Sequence, residues 1–231
     1  MRVLLFDVFG TLVDWRSSLI ELAETMAVPS GPQTADWPAV VDDWRRAYQP
    51  AMDRIRQGAP WRDLDSLQRE TLDEVLARHD LRLSAADRET LVLGWRRLRP
   101  WPDTAAGLGR LRRTHITATL SNGHLALLAD LLRFGDLRVD ALLSAQLAAS
   151  YKPDAAVYLT ALGLLDCRPE DAGMVAAHAA DLRAAAALGL RPIFVRRPLE
   201  WGPGGTPEEP PALAGVLEAD GLGDLASGLG C

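Results

Sequence analysis

The chain has 231 residues, which suits one core with a sizeable insertion better than two independent domains. Asp and Glu (31) outnumber Lys and Arg (25), and the net charge of −6 argues against a surface that neutralises phosphate backbones, so we expect no nucleic-acid partner. The only two cysteines, Cys167 and Cys231, exclude a disulfide framework and a Cys/His metal site, which fits a reducing cytoplasm. The first apolar run is interrupted by Asp7, too early for a secretory segment or a membrane span, so we expect a cytoplasmic protein with no membrane partner.

The first predicted element is a buried strand. The run VLLFDVFGTLV begins with apolar and β-branched residues and continues into a Gly-Thr turn, which indicates a strand that ends near Asp7. Between about residues 15 and 98, apolar residues recur at helical spacing among many charges, and Ser84-x-x-Asp87 has the form of a capping box that starts a helix. The prolines on either side of Trp101 place a boundary near residue 99. The chain therefore leaves its core at about 14 and returns at about 99.

Four further short apolar runs follow, separated by helical stretches. They are ITATL (Ile116–Leu120), ALLSA (Ala141–Ala145), GMVAA (Gly173–Ala177) and PIFV (Pro192–Val195). Strands that alternate with helices indicate βαβ units and a parallel sheet. After the last of these runs, the segment WGPGGTPEEPP is rich in turn residues, and we expect a solvated loop there.

Polar residues follow several of these predicted strands. They are Asp7, Ser121, Asn122, Lys152 and Asp181. Ligands collect at the carboxyl ends of strands in a doubly wound sheet, and this set combines a nucleophilic carboxylate, hydroxyl and amide donors, an ammonium and a second carboxylate. Each residue alone also has an ordinary explanation, such as capping a turn, complementing a helix dipole or solvation. Their coincidence predicts a site for an anion with an attacking oxygen.

Four segments carry a resemblance to a known family. LLFDVFGTLVDWR, TLSNGH, SYKPDAAVY and MVAAHAADLRAAAALGL resemble, in order and spacing, the four motifs of the haloacid dehalogenase superfamily, and more narrowly its type II 2-haloacid dehalogenases. The resemblance implies an α/β fold with a Rossmann-like, doubly wound parallel sheet and an inserted all-helical cap. The implied boundaries are 1–14 for the first part of the core, 15–98 for the cap and 99–231 for the rest of the core with a C-terminal tail.

The first and fourth motifs discriminate between branches of that superfamily. Its phosphatases carry Asp-x-Asp, where the second carboxylate protonates the leaving group, whereas this chain has Phe9 two residues after Asp7. They also bind magnesium with several carboxylates in the fourth motif, where this chain offers only Asp181. A halide leaves as a stable anion and needs neither an acid nor a metal, so we expect a metal-independent enzyme without a cofactor.

The resemblance implies hydrolytic dehalogenation of a short 2-haloalkanoic acid to a 2-hydroxy acid. Asp7 would displace the halide and form an aspartyl ester, Asp181 would activate the water that cleaves the ester, and Lys152 would lie between them. The residues implied to bind the substrate are Thr11 and Ser121 for its carboxylate, Asn122 and Arg45 for the halide, and Tyr158 near the substrate.

The fourth motif departs from the common pattern Ser-Ser-Asn-x-x-Asp. Alignment on Asp181 puts Ala176, Ala177 and His178 at the first three positions. His178 precedes Asp181 by three residues, a spacing that brings side chains together if both lie within one helix. We therefore hypothesise that His178 assists water activation.

Two alternatives stay open on the sequence alone. One is a phosphatase or other phosphoryl-transfer member of the superfamily, and the other is a fold retained for binding with little turnover. The expected partner is a halogenated carboxylate as a small-molecule substrate. A homodimer is common among similar enzymes and is expected here by analogy only.

Overall fold

The computed structural model describes residues 1–26 and 35–231 and contains a central parallel sheet. The strands are β1 (Val3–Phe6), β2 (Val13–Asp14), β3 (Arg99–Pro100), β4 (Ile116–Thr119), β5 (Ala172–Ala176), β6 (Arg191–Val195) and β7 (Leu217–Ala219). Five of them form the sheet in the order β4-β1-β5-β6-β7, with every pair parallel. β1 is wholly buried because it has a neighbour on each side, which explains its continuous apolar sequence. The predicted α/β class with a doubly wound sheet is confirmed.

Helices fill the connections between the strands. They are α1 (Trp15–Glu24), α2 (Trp37–Arg56), α3 (Leu64–Arg78), α4 (Ala85–Gly94), α5 (Thr104–Leu111), α6 (Leu125–Phe134), α7 (Ala155–Leu164), α8 (Ala179–Ala187) and α9 (Leu222–Gly228). Among the residues that the structure describes, no helix combines the length and apolar character needed to cross a membrane.

The first four helices lie in the stretch that the sequence marks as an insertion, of which residues 27–34 are outside the described residues. Each helix begins at a side chain that accepts a hydrogen bond from the backbone N–H three residues on: Asp14, Asp36, Asp63 and Ser84. Such a cap stabilises a helix by about 1 kcal/mol. The predicted helix start at Ser84 is confirmed, because Ser84 Oγ accepts from the Asp87 N–H at 3.1 Å. The return bond differs from that of a capping box, since the Asp87 carboxylate accepts from the Ser84 hydroxyl, at 2.7 Å, and not from the Ser84 backbone N–H.

The insertion joins the sheet through a short ribbon and an aromatic cluster. β2 and β3, where the chain leaves and re-enters the α/β part, pair antiparallel. Trp95, just after α4, is fully buried against Phe9, Trp15 and Trp44, at centroid distances of 5.4, 6.2 and 5.6 Å. These rings fix the insertion beside the end of β1.

The predicted strand at Ala141–Ala145 is wrong. The segment makes isolated bridges only, Ala141 with Ala118 and Ser144 with Ser121. The reason is Thr119, whose hydroxyl donates to the Leu143 carbonyl at 2.8 Å and accepts from the Leu143 N–H at 3.0 Å, so a side chain takes the place of the backbone ladder. The other three predicted runs are confirmed as β4, β5 and β6, with ends within one residue.

The C-terminal segment contains more structure than the sequence indicates. β7 pairs with β6 at the edge of the sheet, and α9 packs against α5. β7 is three residues long and its first two are exposed, so it has neither the length nor the burial that marks a strand in a sequence.

Candidate active site

Asp7 directly follows β1, the strand at which the chain order reverses, and it lies at the carboxyl end of the sheet. Its side chain is 8% exposed. Oδ1 accepts a hydrogen bond from Lys152 Nζ at 2.8 Å, and Oδ2 accepts one from Thr11 Oγ1 at 2.7 Å. Thr11 Oγ1 in turn accepts from the Ala177 N–H at 2.9 Å. The Thr11 hydroxyl therefore holds the carboxylate of Asp7.

Lys152 bridges the two predicted carboxylates. Its Nζ donates to Asp181 Oδ2 at 2.5 Å as well as to Asp7, and its backbone N–H donates to Asn122 Oδ1 at 2.7 Å. Tyr158 donates its hydroxyl hydrogen to the other oxygen of Asp181. The structure thus brings together these five predicted residues from three different connections of the sheet.

The environment separates the two carboxylates electrostatically. Burial alone would raise the pKa of Asp7, but Lys152 and His178 outweigh it and hold that pKa well below its usual value. Burial raises the pKa of Asp181 above its usual value, with Lys152 opposing the rise and Asp7 adding to it. Burial would lower the pKa of Lys152, yet both carboxylates raise it. A permanently ionised carboxylate beside one that more readily takes up a proton suits a nucleophile paired with a base.

His178 lies at a different place from the one that its spacing predicts. It is the N-cap residue of α8, and its ring contacts Asp7 and Glu200 rather than Asp181. Nδ1 is 3.1 Å from Asp7 Oδ2, and Nε2 is 3.0 Å from Glu200 Oε1. The expected contact between His178 and Asp181 within one helix is therefore wrong, and the part of His178 in water activation stays a prediction.

Sequence reasoning missed Glu200. It lies in the segment after β6, is 3% exposed, and accepts a hydrogen bond from Trp15 Nε1 at 3.0 Å. Burial alone would raise the pKa of Glu200, but the neighbouring His178 outweighs that effect and holds the pKa below its usual value. The sequence does contain a signal for it, because Glu200 is a carboxylate five residues after the run that ends at Val195, where residues of a site are expected.

The Glu200 carboxylate packs against the backbone of Gly10. A Cβ added at Gly10 would lie 2.1 Å from Glu200 Oε1, and Gly10 has φ +81°. Only glycine combines that φ with so close an approach.

We expect Gly10→Ala to lower the free energy of unfolding by about 2 kcal/mol or more, because an unfavourable φ and the contact with a buried, hydrogen-bonded carboxylate add together. Gly215→Ala is the matched control, since Gly215 has φ +76° with nothing within 4 Å of the added Cβ. Urea denaturation of both variants measures the difference. Equal losses would show that the contact with Glu200 carries no cost.

A cavity of about 400 Å³ opens over these groups. Asp7, Lys152, Asp181, Asn122 and His178 line its floor, and α2 contributes Arg45, Tyr48 and Met52. The Arg45 guanidinium lies 5.0 Å from the Tyr48 ring centroid and 5.5 Å from that of Trp15, and its buried Nε has no hydrogen-bond partner among the described residues.

Three predicted residues lie behind the cavity rather than in it. Thr11, Ser121 and Tyr158 are fully buried and are absent from its lining. Ser121 Oγ accepts a hydrogen bond from the Gly123 N–H at 3.1 Å and so shapes the turn that presents Asn122. Within residues 1–26 and 35–231, no group of three or more His, Cys, Asp or Glu side chains is arranged to hold a metal ion.

The model of the family described as "Hydrolase: haloacid dehalogenase-like hydrolase" matches residues 1–189. The chain belongs to this family. Among named relatives of this haloacid dehalogenase-like hydrolase, (S)-2-haloacid dehalogenase 1 of Pseudomonas sp. (strain CBS-3) is 28% identical over 200 residues, which cover 85% of each chain. (S)-2-haloacid dehalogenase 4A of Burkholderia cepacia is 27% identical over 202 residues, or 85% of this chain and 84% of that one.

Solved structures extend the similarity over the whole length of this haloacid dehalogenase-like hydrolase. The crystal structure of an L-2-haloacid dehalogenase is 45% identical, with a TM-score of 0.91 and coverage of 99% of both chains. The crystal structure of a defluorinating L-2-haloacid dehalogenase is 34% identical, also with a TM-score of 0.91, and covers 100% of this chain and 96% of that one.

Proposed function

We propose that this enzyme hydrolyses short 2-haloalkanoic acids to 2-hydroxy acids through an ester on Asp7. The observation that carries the proposal is the Lys152 ammonium held between Asp7 and Asp181 at the floor of a 400 Å³ cavity. The names of the relatives, which are (S)-2- and L-2-haloacid dehalogenases, support the same substrate class.

In the first half-reaction, a carboxylate oxygen of Asp7 attacks carbon 2 of the substrate, and the carbon–halogen bond breaks with its electron pair on the halide. Arg45 offers a cation on the cavity wall for the departing halide, and Asn122 lines the same cavity. Lys152 keeps Asp7 ionised throughout, because its positive charge lies next to the attacking group.

In the second half-reaction, Asp181 accepts a proton from water, and the water oxygen adds to the Asp7 carbonyl carbon. The bond between that carbon and the substrate oxygen then breaks, and the 2-hydroxy acid leaves after taking the proton. Tyr158 holds Asp181 in place through its hydroxyl. Backside attack at carbon 2 followed by cleavage on the Asp7 side inverts the stereocentre once, so an (S)-2-halo acid gives an (R)-2-hydroxy acid.

The helical insertion at 15–98 acts in this proposal as a cap, because α2 supplies the wall of the cavity that faces Asp7. The division into residues 1–14, 15–98 and 99–231, the homodimer and the cytoplasmic location stay predictions. Nothing beside the nucleophile supports the phosphatase alternative. A phosphatase would need a second carboxylate at position 9 to protonate the leaving group, and here the Phe9 ring packs edge-on against Trp95.

The test is halide release from chloroacetate, both enantiomers of 2-chloropropionate and fluoroacetate, with and without a chelator. We expect halide release that the chelator leaves unchanged, with (S)-2-chloropropionate preferred over its enantiomer. A single turnover in ¹⁸O-water should place the label in the peptide that contains Asp7 and not in the product. Label in the product of that first turnover would contradict the ester and indicate direct attack by water.

A further inference from the structure

The His178 ring is held between two carboxylates. Nδ1 is 3.1 Å from Asp7 Oδ2 and Nε2 is 3.0 Å from Glu200 Oε1. A neutral imidazole has one N–H, whereas two ionised carboxylates offer acceptors only, so both contacts become hydrogen bonds when the ring is an imidazolium. The geometry therefore makes His178 a fixed positive charge that donates to Asp7.

The two oxygens of Asp7 are not equivalent. Oδ1 has one donor, Lys152, which it shares with Asp181, whereas Oδ2 has the donors Thr11 and His178. An oxygen engaged by two donors is the poorer nucleophile and the better place for negative charge to develop. Oδ1 is thus suited to attack carbon 2, and Oδ2 to become the carbonyl oxygen of the ester.

We propose that His178 is the charged donor that stabilises Asp7 Oδ2 while the ester is hydrolysed, and that Glu200 is a positioning residue that holds His178 for this role. The inference rests on the proposed function and assigns a separate task to a pair of residues outside the Asp7–Lys152–Asp181 set.

The step can be written atom by atom. Asp181 takes a proton from water as the water oxygen bonds to the Asp7 carbonyl carbon, and the π electrons of that carbonyl move onto Oδ2. His178 and Thr11 donate hydrogen bonds to the resulting oxyanion. When the electrons return, the bond from the carbonyl carbon to the substrate oxygen breaks, and that oxygen receives the proton from Asp181. The second proton of the water remains on the Asp7 carboxyl group, which releases it to solvent and becomes a carboxylate again. His178 loses no proton at any point.

The surroundings of Glu200 fit a positioning role. Its Oε1 is the acceptor for both His178 and Trp15, at 3.0 Å each. The Glu200 carboxylate occupies space that a Cβ at position 10 would fill, and this space is free because residue 10 is glycine. A buried carboxylate costs several kcal/mol unless it is paired, and the partner here is the His178 ring.

The charged groups around the ring determine how it titrates. Asp7 and Glu200 contact it directly, and Lys152, Asp181 and Arg45 line the same cavity. Burial lowers the pKa of His178, but Glu200 and Asp7 raise it to about 10. The ring is protonated below that pKa in the free enzyme. Esterification neutralises Asp7 and removes one of the influences that raise the pKa of His178, so the rate of ester hydrolysis should fall as pH rises through a value below about 10.

The experiment compares Glu200→Gln with the wild-type enzyme by rapid mixing with (S)-2-chloropropionate. Gln keeps the shape of the side chain and an acceptor oxygen for Trp15 while removing the charge. We expect a first turnover of halide as fast as that of the wild type, then steady-state turnover slower by about tenfold or more as one oxyanion donor is weakened. Mass spectrometry of the quenched variant should find the ester on Asp7.

The pH profile distinguishes this role from simple packing. In Glu200→Gln, the fall of ester hydrolysis at high pH should begin at a lower pH than in the wild type, because the largest influence that raises the pKa of His178 is gone. Glu209→Gln is the matched control, since Glu209 is exposed and should leave both the rate and the profile unchanged.

A second variant keeps the inference falsifiable if Glu200→Gln folds poorly. His178→Gln should also accumulate the ester, with turnover slower by about 100-fold. Glu200→Gln should add little further loss in the His178→Gln background, because the two residues act as one unit. An active wild type whose folded variants neither accumulate ester nor slow down would overturn the inference alone, whereas a wild type that releases no halide would overturn the proposed function.

Discussion

Asp7→Asn should abolish halide release, with a loss in kcat of about 10⁴-fold or more, because the amide oxygen is a poor nucleophile and the carboxylate that Lys152 and His178 hold ionised is gone. The side chain keeps its volume, so the cavity and the hydrogen bond from Thr11 should persist. Halide release with 2-chloropropionate, followed by an ion-selective electrode, measures the effect.

The stability of this variant supplies an independent readout. Asn removes a negative charge that Lys152 and His178 both contact, and it leaves those two cations facing a neutral amide. The matched control is Asp73→Asn, in which the carboxylate is about half exposed and pairs with Arg88 on the surface. We expect full activity in the control. Substantial halide release by Asp7→Asn after removal of any deamidated protein would exclude Asp7 as the nucleophile.

Lys152→Met should remove both activity and stability. Met has a similar length without the charge, so Asp7 and Asp181 lose the ammonium that each contacts within 3 Å. Removing one partner of a buried ion pair costs about 3–5 kcal/mol in unfolding free energy. Halide assays and urea denaturation at neutral pH measure the two losses.

The pH dependence of Lys152→Met has a definite sign. The pKa of Asp181 is already raised by burial, and Lys152 opposes that rise, so its removal raises the pKa further. A carboxyl whose folded pKa lies above its unfolded value favours the folded state below the unfolded pKa and loses that contribution as pH rises through the folded pKa. The deficit of Lys152→Met should therefore be small in acid and should grow toward neutral pH.

A double-mutant cycle provides the control. In an Asp181→Asn background the lysine has one charged partner fewer, so Lys152→Met should cost less unfolding free energy than it does in the wild type. Equal costs in the two backgrounds would mean that the bridge between the carboxylates contributes nothing to stability.

The sequence predicts the central residues of this site because they follow strands. Asp7 comes directly after a wholly buried run, and parallel strands bring their carboxyl ends to one edge. The sequence also predicts Lys152 at that edge because the lysine follows the apolar run Ala141–Ala145, although this run is not a strand in the structure. That segment still runs beside β4, held by the Thr119 hydroxyl and by isolated backbone hydrogen bonds, and so brings the lysine to the same place.

The contacts of Glu200 could not be predicted in the same way. Its burial depends on the N–H of Trp15 and the absent Cβ of Gly10, which are more than 180 residues earlier in the chain. A local sequence pattern cannot reveal a contact between residues so far apart in the chain. The orientation of His178 was equally hidden, because a residue at a helix N-cap has backbone dihedrals that differ from those of the helix and directs its side chain elsewhere.

Lys152 is the only lysine in the chain, since every other cationic side chain of the Lys and Arg set is an arginine. Feeding isotopically labelled lysine would therefore place one NMR-visible ammonium in the whole protein, at the point between the two carboxylates. The single resonance of the Lys152 ammonium would report on the neighbouring Asp7 carboxylate as substrate binds, as the ester forms and as the ester is hydrolysed. The scarcity of lysine thus makes the catalytic cycle observable from one atom without any engineered probe.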